Sequence, residues 1–428
     1  MTGIERAILV ALAAVLPAQT SSPARPAAAA TTAWLQWGGP SRNFMLASAP
    51  IATSWPAGGP RRLWTRALGE GHSSILAEGD RLFTMYRLPG SGRARGEREA
   101  VVALDAATGS TIWQMDYPAP VAGLDFEYGA GPHATPLIVG DRLFAASTLK
   151  EIFALDKATG RRIWSHDLIK EYNAPRPGRG YTCSPIAYRD LVIVTAGGAG
   201  QTVMAFQQAS GALAWKAGDF AAAPAAPLLI DVDGQAQLVI FGGEEVVGLN
   251  PANGQRLWSH PHQTEWGLNI STPVWNPADR SLFVSSAYNT GSRLLELQQT
   301  AGRTSVKERW FTNRMRVHIG TVIRTGGRAY ASSGDFGPAF ITAVDEQTGA
   351  ILWQDRGFAR AQLLYAGDLL VILDEDGTLG LARLGPKGLD VLAKAALLTR
   401  ISWTPPTLVQ DRLYVRDRGT VLALNLGR

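Results

Sequence analysis

Apolar residues come in short bursts along this chain, and turn chemistry separates them. ATPLIV (134–139) is followed by Gly140-Asp141, then by RLFAAS (142–147), then by a run through Ile152, Ala154 and Leu155, then by a turn and RRIW (161–164). Runs this short, rich in β-branched and aromatic residues and bounded by Gly, Asp and Pro, predict strands joined as hairpins. The scheme returns as CSPIAY (183–188) with DLVIVTA (190–196), STPVWN (271–276) with SLFVSSA (281–287), and TPPTLV (404–409) with RLYVRD (412–417). Each unit therefore supplies four strands.

One phrase closes most units. ALDAATGSTIW (103–113), ALDKATGRRIW (154–164), AFQQASGALAW (205–215), GLNPANGQRLW (248–258) and AVDEQTGAILW (343–353) share the form A-x-D-x-x-T-G-x-x-x-W. A degenerate copy ends at Trp310, and Trp64 lies in an isolated strand, RRLWTRAL at 61–68. Trp64, Trp113, Trp164, Trp215, Trp258, Trp310 and Trp353 follow one another at intervals of 43 to 52 residues. That period fits a four-stranded propeller blade and excludes heptads and helical solenoids. In the phrase, Asp105, Asp156 and Asp345 are placed to bond to turn backbone, and Gly109, Gly160, Gly211, Gly254 and Gly349 to take positive φ. The tryptophan is expected on the outermost strand, filling the gap between blades.

Counting units predicts an all-β, eight-bladed propeller of four-stranded antiparallel blades. Seven are complete, at approximately 72–115, 131–168, 180–217, 222–260, 268–311, 317–355 and 359–398. The eighth has three strands in 400–426, and the strand at 61–68 completes it, leaving no open edge. An irregular unit around 374–397 would reduce the count to seven.

Composition narrows the functional classes. The chain is 46% hydrophobic and 18% charged, with 46 Gly and 25 Pro. Its net charge of +5 is scattered, without the aromatic-interleaved basic stripe of a nucleic-acid surface. Residues 1–30 read as a cleavable signal peptide with an Ala/Pro-rich linker. Arg6 precedes a ten-residue apolar run too short to span a bilayer, and 31–428 form one domain. No cysteine follows that run, so a lipid anchor has no acceptor. The single cysteine, Cys183, excludes an internal disulfide and a multi-cysteine metal site, and its neighbours suit a buried core thiol. The six histidines lack metal-ligand spacing, and His260, His262 and Glu265 read as a surface loop.

On the strength of the fivefold phrase, the sequence resembles the PQQ-like repeat propellers, which include quinoprotein dehydrogenases and the outer-membrane assembly protein BamB. WLQWGGPSRN (34–43) and GAGPHATP (129–136) are similar to the PQQ-binding-like members. The resemblance implies an exported binding or scaffold protein, monomeric, taking an envelope protein partner or a small ligand, with no cofactor. The alternative is a pyrroloquinoline quinone (PQQ)- and calcium-dependent oxidoreductase, whose paired cysteines this chain lacks. Loops leading into the inner strands converge on one face of a propeller. The candidate ligand funnel there comprises His72, Glu127, His133, Tyr181, Glu265, Trp266, Asn269, Arg316, His318, Arg400 and Trp403.

Overall fold

The computed structural model describes residues 33–427 except 93, 128 and 130, so the proposed signal segment at 1–30 lies outside the described residues. The described residues form eight sheets, each built on four antiparallel strands. In blade 2, Leu137–Val139 lies innermost, followed outward by Arg142–Ala146, Glu151–Asp156 and Arg162–Asp167. Six further blades repeat this order within 76–118, 186–217, 228–261, 274–312, 317–355 and 361–396. The unit around 374–397 is a regular four-stranded blade, so eight blades stand.

Ring closure follows the expected route. Arg61–Ala67 pairs antiparallel with Thr420–Asn425, placing the first long strand outermost in the last blade. The seam to blade 1 is tied by Arg416, a fully buried guanidinium that donates to the carbonyls of Ser73 and Met85, both at 3.0 Å. Burial pulls its pKa down to about 10. Thr404 and Thr407 add hydrogen bonds to the carbonyls of His72 and Ile75. Other seams are likewise polar. Glu99 of blade 1 meets Arg87 at 2.5 Å and accepts from Thr148 of blade 2, while Arg324 of blade 6 donates to the Val274 and Ser281 carbonyls of blade 5.

The repeated phrase is a clasp between consecutive blades. Asp105 Oδ1 accepts from Ala107 N, Thr108 N and Thr108 Oγ1, and Asp345 repeats the arrangement. These bonds, the threonine hydroxyl's first, hold both carboxyls below the usual range. Each turn then receives the tryptophan of the preceding blade. Trp64, Trp113, Trp164, Trp215 and Trp310 donate their indole N–H to the carbonyls of Ala106, Lys157, Gln208, Pro251 and Glu346, at 2.8–3.2 Å. The turn glycine is needed twice over. Its φ is +73° to +76°, and a Cβ there would come within 2.4–2.8 Å of the docked indole or, at Gly254, of Ala217.

Two seams break the pattern because the receiving blade lacks the phrase. Blade 5 replaces it with the long hairpin Gly291–Thr300 and Arg303–Thr312, so Trp258 turns back and donates to Gln237 of its own blade. The position opposite the tryptophan, alanine in the other four full copies of the phrase, is here Gly248, where a Cβ would stand 2.0 Å from the indole. Blade 7 also lacks the phrase, and the buried Trp353 N–H has no hydrogen-bond partner.

The N-terminal segment 33–46 runs through the ring. Ala33–Trp34 joins the inner strand of blade 1, and Met45–Leu46 pairs in parallel with that of blade 7. Between them the chain folds on Gly38 and Gly39 (φ +78° and +74°), with Trp37 edge-on to Phe44 at 5.2 Å. Leu35 O accepts from Ile138 N of blade 2, and Trp37 Nε1 donates to Thr272 Oγ1 of blade 5. WLQWGGPSRN is thus an axial plug.

Candidate functional site

Strand order fixes where a site forms. With the plug joined to the far ends of the inner strands, the loops leading into those strands surround a funnel whose floor is Trp37. The funnel encloses a cavity of about 200 Å³. One wall is a ladder of rings. His72 stacks between His133 (5.4 Å, 8° between planes) and Trp403 (5.4 Å, 28°), and the Arg418 guanidinium lies over Trp403 at 5.4 Å. Arg418 Nε donates to His72 Nε2 at 3.3 Å, so that nitrogen carries a lone pair.

The opposite wall is His318, whose Nε2 pairs with the Tyr288 hydroxyl at 2.7 Å. Burial pushes both His133 and His318 down to about 4, assisted by Arg418 and Arg87 at the first and Arg360 at the second. Both imidazoles are therefore neutral at pH 7. Between the walls lie apolar residues, Pro224, Ala226, Leu268 and Ile270 among them, and Arg179 at the rim. Arg179 is held by Asp125 (3.0 Å) and Glu127 (3.6 Å). Among the described residues no carboxylate lines the cavity.

Of the residues expected in the funnel, His72, His133, His318 and Trp403 line it. Glu127 stands at the rim on Arg179, and Trp266 sits on the lip, 53% exposed and edge-on to Tyr288 and to Phe336. The others point elsewhere. Tyr181 is buried in the core between blades 2 and 3, facing Thr195 Oγ1. Asn269 is 0% exposed, bonding the Gly242 carbonyl and accepting from Ser286 Oγ. Arg316 pairs with Asp335, Arg400 lines a separate cleft with Glu70 and Arg95, and Glu265 is exposed off the lining. The reason is register: in an extended segment alternate residues face opposite ways. Leu268 and Ile270 face the axis and Asn269 does not; Gly180, Thr182 and Ser184 do and Tyr181 does not.

His262 also corrects its reading as a surface residue, being fully buried with Nε2 3.1 Å from Ser286 Oγ. Burial lowers it to about 3. Cys183 is a core thiol bonded to the Ala223 and Ala225 carbonyls, and burial raises its pKa. Sequence reasoning missed Trp37, Tyr288 and Arg179. Trp37 was legible only as part of a motif, since nothing local says that its segment re-enters the ring.

The sequence matches the family model described as outer membrane protein assembly factor BamB over residues 97–355. The chain belongs to that family. Among solved structures, this BamB-family propeller is similar to BamB from Moraxella catarrhalis, at 18% identity over 86% of this chain and 100% of that one, with a TM-score of 0.56. It is similar to quinohemoprotein alcohol dehydrogenase from Comamonas testosteroni, at 13% identity, 94% and 82% coverage and a TM-score of 0.61. Quinohemoprotein alcohol dehydrogenase ADHIIG from Pseudomonas putida HK5 gives 12%, 92%, 80% and 0.58. At these identities the likeness is one of fold. No curated protein sequence matches. Among the described residues no helix is long and apolar enough to cross a membrane, and no group of three or more His, Cys, Asp or Glu is placed to hold a metal.

Proposed function

We propose that this BamB-family propeller is an exported small-molecule-binding protein whose ligand, a flat conjugated ring, enters the axial funnel and stacks on the His72–Trp403 wall. The observation that carries this reading is the ladder itself. This wall of aromatic rings, the apolar lining and the Trp37 floor together offer aromatic contact area with few polar demands.

A second reading, a quinone-dependent oxidoreductase, draws support from the two quinohemoprotein alcohol dehydrogenases that share the fold over more than nine tenths of this chain. The residues present do not fit a calcium–quinone pair. Calcium takes six to eight oxygen ligands, carboxylates foremost, and none lines the funnel, while Cys183 lies in the core.

The test is titration of the purified protein with N-phenyl-1-naphthylamine, a neutral fused-ring probe that fluoresces in apolar surroundings. One saturable site per chain is expected, with affinity falling about tenfold or more in Trp403→Ala, as loss of an aromatic stacking partner implies. Absence of a saturable site, or binding indifferent to Trp403→Ala, overturns the funnel assignment. Dye reduction dependent on both added PQQ and calcium transfers the case to the second reading.

A further inference from the structure

We infer that Arg42, carried into the channel on the axial plug, makes the funnel select anionic ring ligands over neutral ones. This rests on the funnel being a small-molecule site and names the ligand's charge.

Arg42 and Trp37 together line two small voids beneath the funnel, of about 20 and 10 Å³, and Trp37 continues upward as the funnel floor. Arg42 therefore lies on the far side of the floor from the ligand. Among the described residues it has no counter-ion. Its Nε is buried without a hydrogen-bond partner, and among the described residues no carboxylate forms an ion pair with it. Burial depresses its pKa with no acidic neighbour to offset that, yet an arginine stays charged throughout the physiological range.

The surroundings leave that charge uncompensated. The funnel lining holds no Asp or Glu, the charge of Arg179 is taken up by Asp125 and Glu127, and His133 and His318 are neutral. Arg418 adds a second cation behind the ring ladder, its Nη2 buried without a partner. Arg42 is half-buried, and a partly desolvated cation without a counter-ion is unfavourable for folding alone. In a low-dielectric funnel its field is poorly screened and acts on whatever enters. An anionic group on the stacked ring offsets both.

Two probes with the same ring skeleton isolate the charge: 8-anilinonaphthalene-1-sulfonate (ANS) and N-phenyl-1-naphthylamine, which lacks the sulfonate. The parent is expected to bind the sulfonate about tenfold more tightly, the scale of one charge acting across a ring in a partly screened site. Arg42→Gln should reduce that preference severalfold while leaving the neutral probe within about twofold, and Arg42→Lys should retain it. Circular dichroism melts confirm folding of each variant. A preference unchanged in Arg42→Gln overturns the inference. Sulfonate binding that falls in Arg42→Gln but ignores Trp403→Ala supports Arg42 and sinks the funnel reading instead.

Discussion

Asn269 and Trp403 follow the same polarity logic in the sequence and meet opposite fates in the structure. Trp403 faces the funnel, whereas Asn269 is spent within the protein, joined through Ser286 to His262. Ser286 donates to Asn269 Oδ1 and so accepts from His262 Nε2, leaving His262 Nδ1 buried without a proton or a partner. This ring is kept neutral by burial, with Arg293 and His260 nearby also opposing its charge. The consequence is acid sensitivity. His133, His262 and His318 have folded pKa values of about 4, 3 and 4 against 6.5 unfolded, so between these limits the unfolded chain binds more protons. Their contribution is fully present above pH 6.5 and is lost as pH falls through about 4. Urea unfolding of parent and His262→Gln at pH 7.5 and 4.5 should show the parent losing about 2–3 kcal/mol more than the variant, at about 1.4 kcal/mol per pKa unit. Equal losses would show that His262 titrates normally.

At the scale of the element, the repeated phrase is half of an interaction whose other half lies in the preceding blade. The Asp, the Gly and the strand that follows were legible, because turn geometry is local and each copy repeats it. The recipient of the indole N–H was not, since it lies 36 to 44 residues away across a seam. The difference is measurable. Trp113→Phe should cost about 1 kcal/mol more than Trp353→Phe, because only the first loses a hydrogen bond. Gly248→Ala, forced against the turned-back Trp258, should cost about 1–3 kcal/mol, while Ala103→Gly at the equivalent site costs less. Chemical denaturation decides both comparisons, and equal costs within each pair would refute the clasp. The bulge beside each tryptophan has the same origin. It skips Ile112, Ile163 or Leu352 in the ladder, and all three face solvent.

For the whole molecule, closure depends on the strand Arg61–Ala67 and on Arg416. Arg416→Met should lower stability by about 3–5 kcal/mol, since three backbone or hydroxyl acceptors on blade 1 lose their donor and Asp417 loses a neighbouring cation. Hydrogen exchange should then rise first at the edges of blades 1 and 8. Exchange that rises evenly around the ring would argue against a weak seam. The architecture was within reach of the sequence by itself: repeat period, strand count, turn residues and the unmatched strand at 61–68 dictate eight blades with shared termini, because each rests on local propensity or on counting. The site was legible only in part. His72, His133, His318 and Trp403 were found because loop position alone brings them to one face. The rest depended on facts that exist only after folding. Side-chain register sends Asn269 and Tyr181 away from the axis and Leu268 and Ile270 toward it. Re-entry of segment 33–46 between blades 1 and 7 converts an open channel into a funnel with a tryptophan floor and an unpaired cation beneath it. Period and propensity act over a few residues, whereas a plug is defined by contacts with strands up to some 320 positions distant, and only tertiary packing selects those.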